Sequence, residues 1–349
     1  FDIIMEYEIK TTKRTLHFKQ PAGTSRGIYT TRQSWFIEMK RADMPDKVGI
    51  GECAPLPNLS CDDIPEYEAV LEEQCRIVVE TGRIDLSHLQ HYPSMLFGLE
   101  TAFRDLVTDH HALFDTPFAR GDEGIPINGL VWMGSKEEMS SRIEDKLSDG
   151  FTCVKLKIGA IDFSEEIGLL KGIRERFGKD YVELRVDANG AFLPSDAMRK
   201  LDALAALDIH SIEQPIKNGQ WEEMSLLCRE SPVPIALDEE LIGIFGEERK
   251  KEMLDKICPD YIILKPSLHG GMAGCEEWVR LARERNIGSW MTSALESNVG
   301  LNAVAHLAAH IYGPDIRMPQ GLGTGQLFTD NIDMPVRLQG SWMWFDKCC

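Results

Sequence analysis

The sequence predicts an α/β protein: a (β/α)8-type barrel preceded by an α+β unit and followed by a short returning tail. Three observations carry that prediction. From Ile127 onward, short apolar runs alternate with amphipathic helical stretches, as in parallel strands joined by crossover helices. Seven such units follow in series, with an eighth strand candidate at 318–322, which favours a closed barrel. The competing doubly wound sheet would carry a glycine-rich phosphate loop after its first strand, and Val131-Trp132-Met133-Gly134-Ser135 lacks one.

Residues 1–120 are assigned to a capping unit that opens on antiparallel strands. Met5, Tyr7 and Ile9 alternate with polar residues, and Ser34-Trp35-Phe36-Ile37-Glu38-Met39 is a second strand. Between them, residues 20–27 are polar and glycine-rich and are expected to form a mobile loop over the site. Residues 51–60, with two prolines, are expected to be a second loop, and helices follow at about 65–80 and 93–109. In the barrel, 121–325, strands are expected at 127–133, 152–158, 182–187, 211–213, 235–238, 261–265 and 289–293. Helices between them are expected at 136–148, 165–177, 195–207, 221–230, 247–257, 272–285 and 299–311. Ser135 and Glu138 have the spacing of a capping box for the first of these. The tail, 326–349, carries Trp342, Met343 and Trp344 and is expected to pack back on the first unit.

Composition narrows the function classes. The chain has 349 residues, 43% hydrophobic and 27% charged, with a formal net charge of −18. So acidic a protein is a poor binder of nucleic acid or of anionic membranes. No apolar run reaches membrane-spanning length and no signal peptide is evident. The nine cysteines are scattered, apart from the doublet Cys348-Cys349, so reduced thiols in the cytoplasm are expected.

The chemistry gathers at the ends of the predicted strands, where barrel enzymes keep their catalytic groups. The second strand contains Lys155 and Lys157, two positions apart and therefore on one face. Two ammonium groups crowded on a buried strand would depress a lysine pKa towards the range of a general base. An edge strand with solvated lysines would have the same pattern, but the following strands decide against it. They end in Asp187, Glu213, Asp238 and Lys265, at steps of about one βα unit. Each carboxylate alone suits a helix cap or a solvated loop. Three converging in one mouth need a cation, and oxygen ligands without Cys or His suit a hard ion such as Mg²⁺. Lys157 and Lys265 would flank it. Arg185 shares parity with Asp187 and is expected to face the substrate. Other features are weaker. Residues 321–325 form a glycine run that suits an anion cradle or a plain turn. His269 is read as a solvated loop residue. His306 and His310 are read as packing or surface residues. Ser267 and Ser293 have no base partner in the sequence, which argues against a nucleophilic hydrolase.

Lys-x-Lys followed by Asp, Glu, Asp and Lys on successive strands resembles the enolase superfamily, in its muconate-lactonizing subgroup. Within it, the stretches Gly51-Glu52-Cys53-Ala54-Pro55, Arg185-Val186-Asp187-Ala188-Asn189, Lys265-Pro266-Ser267-Leu268-His269-Gly270-Gly271 and Thr292-Ser293-Ala294-Leu295-Glu296 look most like the o-succinylbenzoate synthase family. The resemblance implies the modified (β/α)7β form of the barrel. It also implies Mg²⁺, or Mn²⁺ in its place, on Asp187, Glu213 and Asp238. Lys157 would be the acid–base residue, assisted by Lys155, with Lys265 steadying an ene-diolate. Contacts to a small carboxylate substrate are implied at Arg185, Asn189, Thr292, Ser293 and the backbone of Gly321. The reaction implied is loss of water from a cyclohexadiene carboxylate. Dipeptide epimerases and N-acylamino acid racemases share the same lysine frame, so that alternative stays open. So does a non-catalytic binding protein on the same scaffold, although intact lysines and carboxylates speak against it.

Overall fold

The computed structural model describes residues 6–24, 27–324 and 327–347. The chain opens with a three-stranded antiparallel sheet: β1 (Tyr7–Thr24), β2 (Gly27–Arg41) and β3 (Met44–Cys53), in that order. Alternation sends Leu16 and Phe36 to one face and Trp35, Ile37 and Met39 to the other, and both sets are buried. The mobile loop expected at 20–27 is corrected. Gln20–Thr24 continue β1, and Ala22, Gly23 and Thr24 pair with Tyr29, Ile28 and Gly27. Glycine and polar residues masked the strand pattern there, although Ala22 is buried in a cluster with Phe18 and Phe36. Residues 25–26 lie outside the described residues, as do Met5, Gly325 and the Cys348-Cys349 doublet. The loop expected at 51–60 is shortened at its start, since Gly51, Glu52 and Cys53 end β3 and only 54–60 are irregular.

Helices α1 (Tyr67–Thr81), α2 (Leu86–Leu89) and α3 (Pro93–Val107) follow. The β3–α3 contact is close enough to require glycine. A Cβ on Gly51 would lie 1.9 Å from the Gly98 carbonyl oxygen, and one on Gly49 would lie 2.0 Å from that of Ala102.

The main sheet is parallel and seven-stranded, with its strands in chain order. It comprises β5 (Gly129–Val131), β6 (Cys153–Lys157), β7 (Glu183–Asp187), β8 (Ser211–Glu213), β9 (Ile235–Leu237), β10 (Tyr261–Leu264) and β11 (Gly288–Met291). The helices between and after them are α4 (Lys136–Ser148), α5 (Phe163–Arg176), α6 (Pro194–Ala205), α7 (Trp221–Glu230), α8 (Glu247–Ile257), α9 (Gly271–Arg283) and α10 (Asn298–Tyr312). The capping box forms: Glu138 N–H donates to Ser135 Oγ at 3.2 Å, and Ser135 N–H to Glu138 Oε2 at 2.8 Å. The eighth strand reduces to two single bridges, Gln320 with Ile127 and Gly321 with Thr292. These are enough to close the ring between β11 and β5, giving the barrel. The outward faces of its strands pack on the surrounding helices in one large apolar core, while the inward Ala236, Ile263 and Trp290 form a separate small cluster.

The expected first barrel strand is divided. Before β5, β4 (Ile125–Pro126) joins a third sheet with β12 (Val336–Gln339) and β13 (Trp342–Phe345). The tail is therefore divided as well. Its first part returns to the N-terminal sheet, where Lys19 N–H donates to the Leu327 carbonyl at 2.8 Å and the Phe18 and Phe328 rings lie 4.6 Å apart. Trp342, Met343 and Trp344, expected on the same unit, instead lie in a hairpin at the entry to β5, where Ile127 N–H donates to the Ser341 carbonyl. His306 packs edge-on to Phe118 and Phe345, and His310 is exposed and stacked on Phe114.

Candidate active site

Strand register builds the site. Lys157 of β6 pairs with Asp187 of β7, and Asp187 with Glu213 of β8, so the three stand side by side at strand ends. Asp238 follows the last residue of β9, and Lys265 follows that of β10. In a ring of eight positions β6 and β10 are four apart, so Lys157 and Lys265 face each other across the barrel. Above them opens a cavity of about 730 Å³, a figure that includes space open to solvent. Lys155, Lys157, Asp187 and Lys265 reach its floor, while Leu56, Leu130, Trp132 and Leu295 make apolar walls. Glu213 and Asp238 lie beneath the floor, both fully buried.

Each lysine is paired with a carboxylate. Lys155 Nζ donates to Glu213 Oε2 at 2.6 Å and to Asp187 Oδ2 at 3.4 Å. Lys157 Nζ donates to Asp187 Oδ2 at 2.9 Å, and Lys265 Nζ donates to Asp238 Oδ2. This corrects the expected depression of a lysine pKa, as far as Lys155 is concerned. Burial works to lower it, but Glu213 and Asp187 outweigh burial and hold it above its ordinary value. Lys265 is held charged in the same way, burial being overcome by Asp238 and Glu213. Burial also works to raise every carboxyl here. Lys157 and Lys155 reverse that for Asp187, and Lys265 and His269 reverse it for Asp238, leaving both below the usual range. Glu213, buried and next to Asp187, is pushed up to about 8.

The donor set fits a hard divalent cation. Among the described residues no group of three or more His, Cys, Asp or Glu stands at ligating spacing, because lysine ammonium groups lie between the acids. Yet Glu213 Oε1 and Asp238 Oδ1 are buried with no hydrogen-bond partner. Buried anionic oxygens are costly without a positive partner. A fourth buried acid, Glu239, escaped the sequence reading. It lines the cavity, and burial next to Asp238 and Asp187 pushes it up to about 7. The signal was present in Asp238-Glu239-Glu240, three acids directly after an apolar strand.

The expected substrate contacts separate. Arg185 is corrected: it does not line the cavity. Its Nε donates to Glu183 Oε1 at 2.7 Å, its Nη1 to the Pro319 carbonyl at 2.9 Å, and its guanidinium lies over the Trp290 ring. Parity was right, but Arg185 lies one inward layer below Asp187, towards the far end of the barrel. Gly321 is corrected too, since its N–H is spent on the Met291 carbonyl in closing the ring. Glycine is still required there, because a Cβ would lie 2.1 Å from Thr292 Oγ1. Thr292 and Ser293 line the cavity, but their hydroxyls donate to the Gly321 carbonyl and to Glu296 Oε2. Ser267 donates to the other oxygen of Glu296. The two serines thus share a buried carboxylate that ties the ends of β10 and β11, rather than a base. His269, read as solvated, is fully buried. Its Nδ1 accepts the Lys265 backbone N–H at 2.9 Å, so its Nε2–H faces Asp238 Oδ1 at 3.9 Å, and burial lowers its pKa to about 3.

Comparison with known proteins bears on the whole chain. Residues 138–335 match the family described as enolase C-terminal domain-like, and residues 24–106 match the MenC N-terminal domain. The o-succinylbenzoate synthase of Desulfotalea psychrophila is 45% identical, over 95% of this chain and 97% of that protein. The solved structure of MenC from Desulfotalea psychrophila LSv54 superposes with a TM-score of 0.80 at 39% identity, covering 97% of this chain and 99% of that one. The L-Ala-D/L-Glu epimerase of Bacillus subtilis is 31% identical, but over only 51% of this chain and 48% of that protein.

Proposed function

Since the chain belongs to the enolase superfamily, and within it to the o-succinylbenzoate synthase family, we propose that it catalyses that family's dehydration. The substrate is 2-succinyl-6-hydroxy-2,4-cyclohexadiene-1-carboxylate and the product is 2-succinylbenzoate, used in menaquinone synthesis. The observation that carries the reading is the pair of lysines on opposing strands above buried acids with unpartnered oxygens. Asp187, Glu213 and Asp238 would hold Mg²⁺, or Mn²⁺ in its place. The bound cation supplies positive charge to the substrate carboxylate as that group becomes dianionic. Lys157, as the free amine, takes the proton from the carbon bearing the carboxylate. The same ammonium then returns that proton to the hydroxyl, which leaves as water with its bonding electron pair. One residue serves both steps because hydrogen and hydroxyl leave from the same face. Lys265, held charged by Asp238, stabilises the developing negative charge from the opposite face. The apolar walls keep bulk water from the intermediate.

A cytoplasmic location belongs to this reading. It is supported by free cysteines, with no disulfide among the described residues, and by the lack of any described helix long and apolar enough to cross a membrane. The net charge of −18 argues against nucleic acid as a partner.

The test is turnover of the cyclohexadiene substrate by the purified protein. Activity with Mg²⁺, its loss in excess chelator and its return on adding Mg²⁺ are expected. Asp187→Asn, Glu213→Gln and Asp238→Asn should each weaken Mg²⁺ binding measured by calorimetry. Full activity in chelator would remove the cation from the account.

A further inference from the structure

We propose that Glu239 and Asn189 act together as positioning residues for the Lys157 amine, with Asn189 transmitting the anchorage rather than binding substrate. The inference rests on the function proposed above. Lys157 Nζ donates to Asn189 Oδ1 at 2.9 Å, and Asn189 Nδ2 donates to Glu239 Oε1 at 2.9 Å. The amide has only one orientation that satisfies both partners. With Lys157 as the ammonium and Glu239 ionised, the one only donates and the other only accepts, so in that state the oxygen faces Lys157 and the nitrogen Glu239. Both ends of the Asn189 amide are therefore engaged inside the protein, as are the hydroxyls of Thr292 and Ser293.

The backbone is shaped for the same task. Asn189 has a φ of 44°, in the left-handed region that asparagine tolerates better than most residues, and its N–H donates to Asp187 Oδ1 at 3.0 Å. Glu239 opens the short 3-10 turn Glu239–Leu241 directly after Asp238 and is almost fully buried. It approaches from the end of β9, whereas Lys157 ends β6. The chain of bonds thus spans the barrel mouth over three strands.

The chemistry needs such an anchor. A lysine amine sits on four rotatable bonds, yet here it must reach first a carbon-bound hydrogen and then a hydroxyl on the same face. Misplacement by about 1 Å can cost on the order of 10²-fold in rate. A base oriented by a second group, itself oriented by a third, is a recurring solution.

The experiment compares Glu239→Ala, Glu239→Gln, Asn189→Ala and the double alanine variant. Four readouts are taken: kcat, KM, the primary isotope effect for substrate deuterated at the carbon bearing the carboxylate, and crystal structures with Mg²⁺. Glu239→Ala should lower kcat by about 10- to 100-fold with little change in KM, and should raise the isotope effect as proton transfer becomes limiting. Glu239→Gln keeps a carbonyl that can accept from Asn189, so it should recover most of that loss. The double variant should be no worse than Asn189→Ala alone, since the chain is already broken. A raised KM with kcat and isotope effect unchanged would make Asn189 a substrate contact and overturn the proposal. Equal losses for Gln and Ala at Glu239, or additive losses in the double variant, would also overturn it. If the unmutated protein fails to dehydrate the substrate, the function falls, and the structures then decide the positioning by themselves. Lys157 displaced from Asn189 in Glu239→Ala supports it, and Lys157 unmoved overturns it.

Discussion

Lys155 and Lys157 share a strand face, and their surroundings give them different work. Lys155 is buried between Asp187 and Glu213, which hold its pKa above the ordinary value, so it stands at the cavity floor as a counter-charge to both. Lys157 lines the cavity, where the proposed reaction places the substrate. Removing its amine deletes proton transfer, so Lys157→Ala and Lys157→Arg should each lose at least roughly 10²-fold in kcat. Lys265 need only stay charged, so Lys265→Arg should retain more dehydration than Lys265→Ala. Equal loss in both, with fold and Mg²⁺ binding intact, would favour a mechanism with a base on each face. His111 allows a prediction outside the site. Its Nδ1 lies 2.9 Å from Asp105 Oδ1, and that bond, against partial burial, raises its pKa above 6.5. Protonation is thus tighter in the folded protein. The contribution to stability is complete below about pH 6.5 and is lost as pH rises through the raised value. The difference in thermal midpoint between the unmutated protein and His111→Gln should be larger at about pH 5.5 than at about pH 9. No change in that difference with pH would sink this assignment. Residue types at strand ends were legible in the sequence, because a charge after an apolar run is a local signal. Arg185, Gly321 and His269 were not, because depth in the barrel and backbone pairing depend on elements distant in the chain.

At the scale of elements, register does most of the organising. The barrel strands and helices were readable from alternating apolar runs and amphipathic stretches: 211–213 and 221–230 match the observed elements, and other ends, as at 165–177 and 289–293, are displaced by only a residue or two. Pairing was harder to read. The outer end of the β1–β2 hairpin, residues 20–27, was mistaken for a loop because it is rich in glycine and polar residues, and β12–β13 were missed because their partner, β4, is two residues long. The β3–α3 contact depends on three glycines whose reason is invisible without the fold. Gly51→Ala would force a Cβ into the Gly98 carbonyl, with backbone on both sides and nowhere to yield. It should destabilise the protein by about 2 kcal/mol or more in urea unfolding. A loss within about 0.5 kcal/mol would mean that α3 shifts freely on the sheet.

Over the whole molecule, a buried polar seam joins the N-terminal sheet to the barrel. Glu52 at the end of β3 accepts from Ser34 Oγ at 2.8 Å, from Ser297 Oγ at 2.6 Å and from the N–H groups of Ser297 and Gly300 at the start of α10. Glu296, one residue before Ser297, carries Ser267 and Ser293 from the barrel mouth. The N-terminal sheet is thereby tied to the strand ends that carry Lys265 and Ser293, and Leu56 and Leu59 reach the cavity from beyond β3. The walls that select a substrate therefore come from both parts, whereas the lysines and acids come from the barrel alone. The most direct measurement is a comparison of kcat/KM on one preparation with Mg²⁺. Dehydration of the cyclohexadiene substrate is set against epimerisation of dipeptides and N-acylamino acids in deuterated water. The account predicts that dehydration exceeds every epimerisation by at least about 100-fold. An epimerisation constant equal to or above that for dehydration would contradict it.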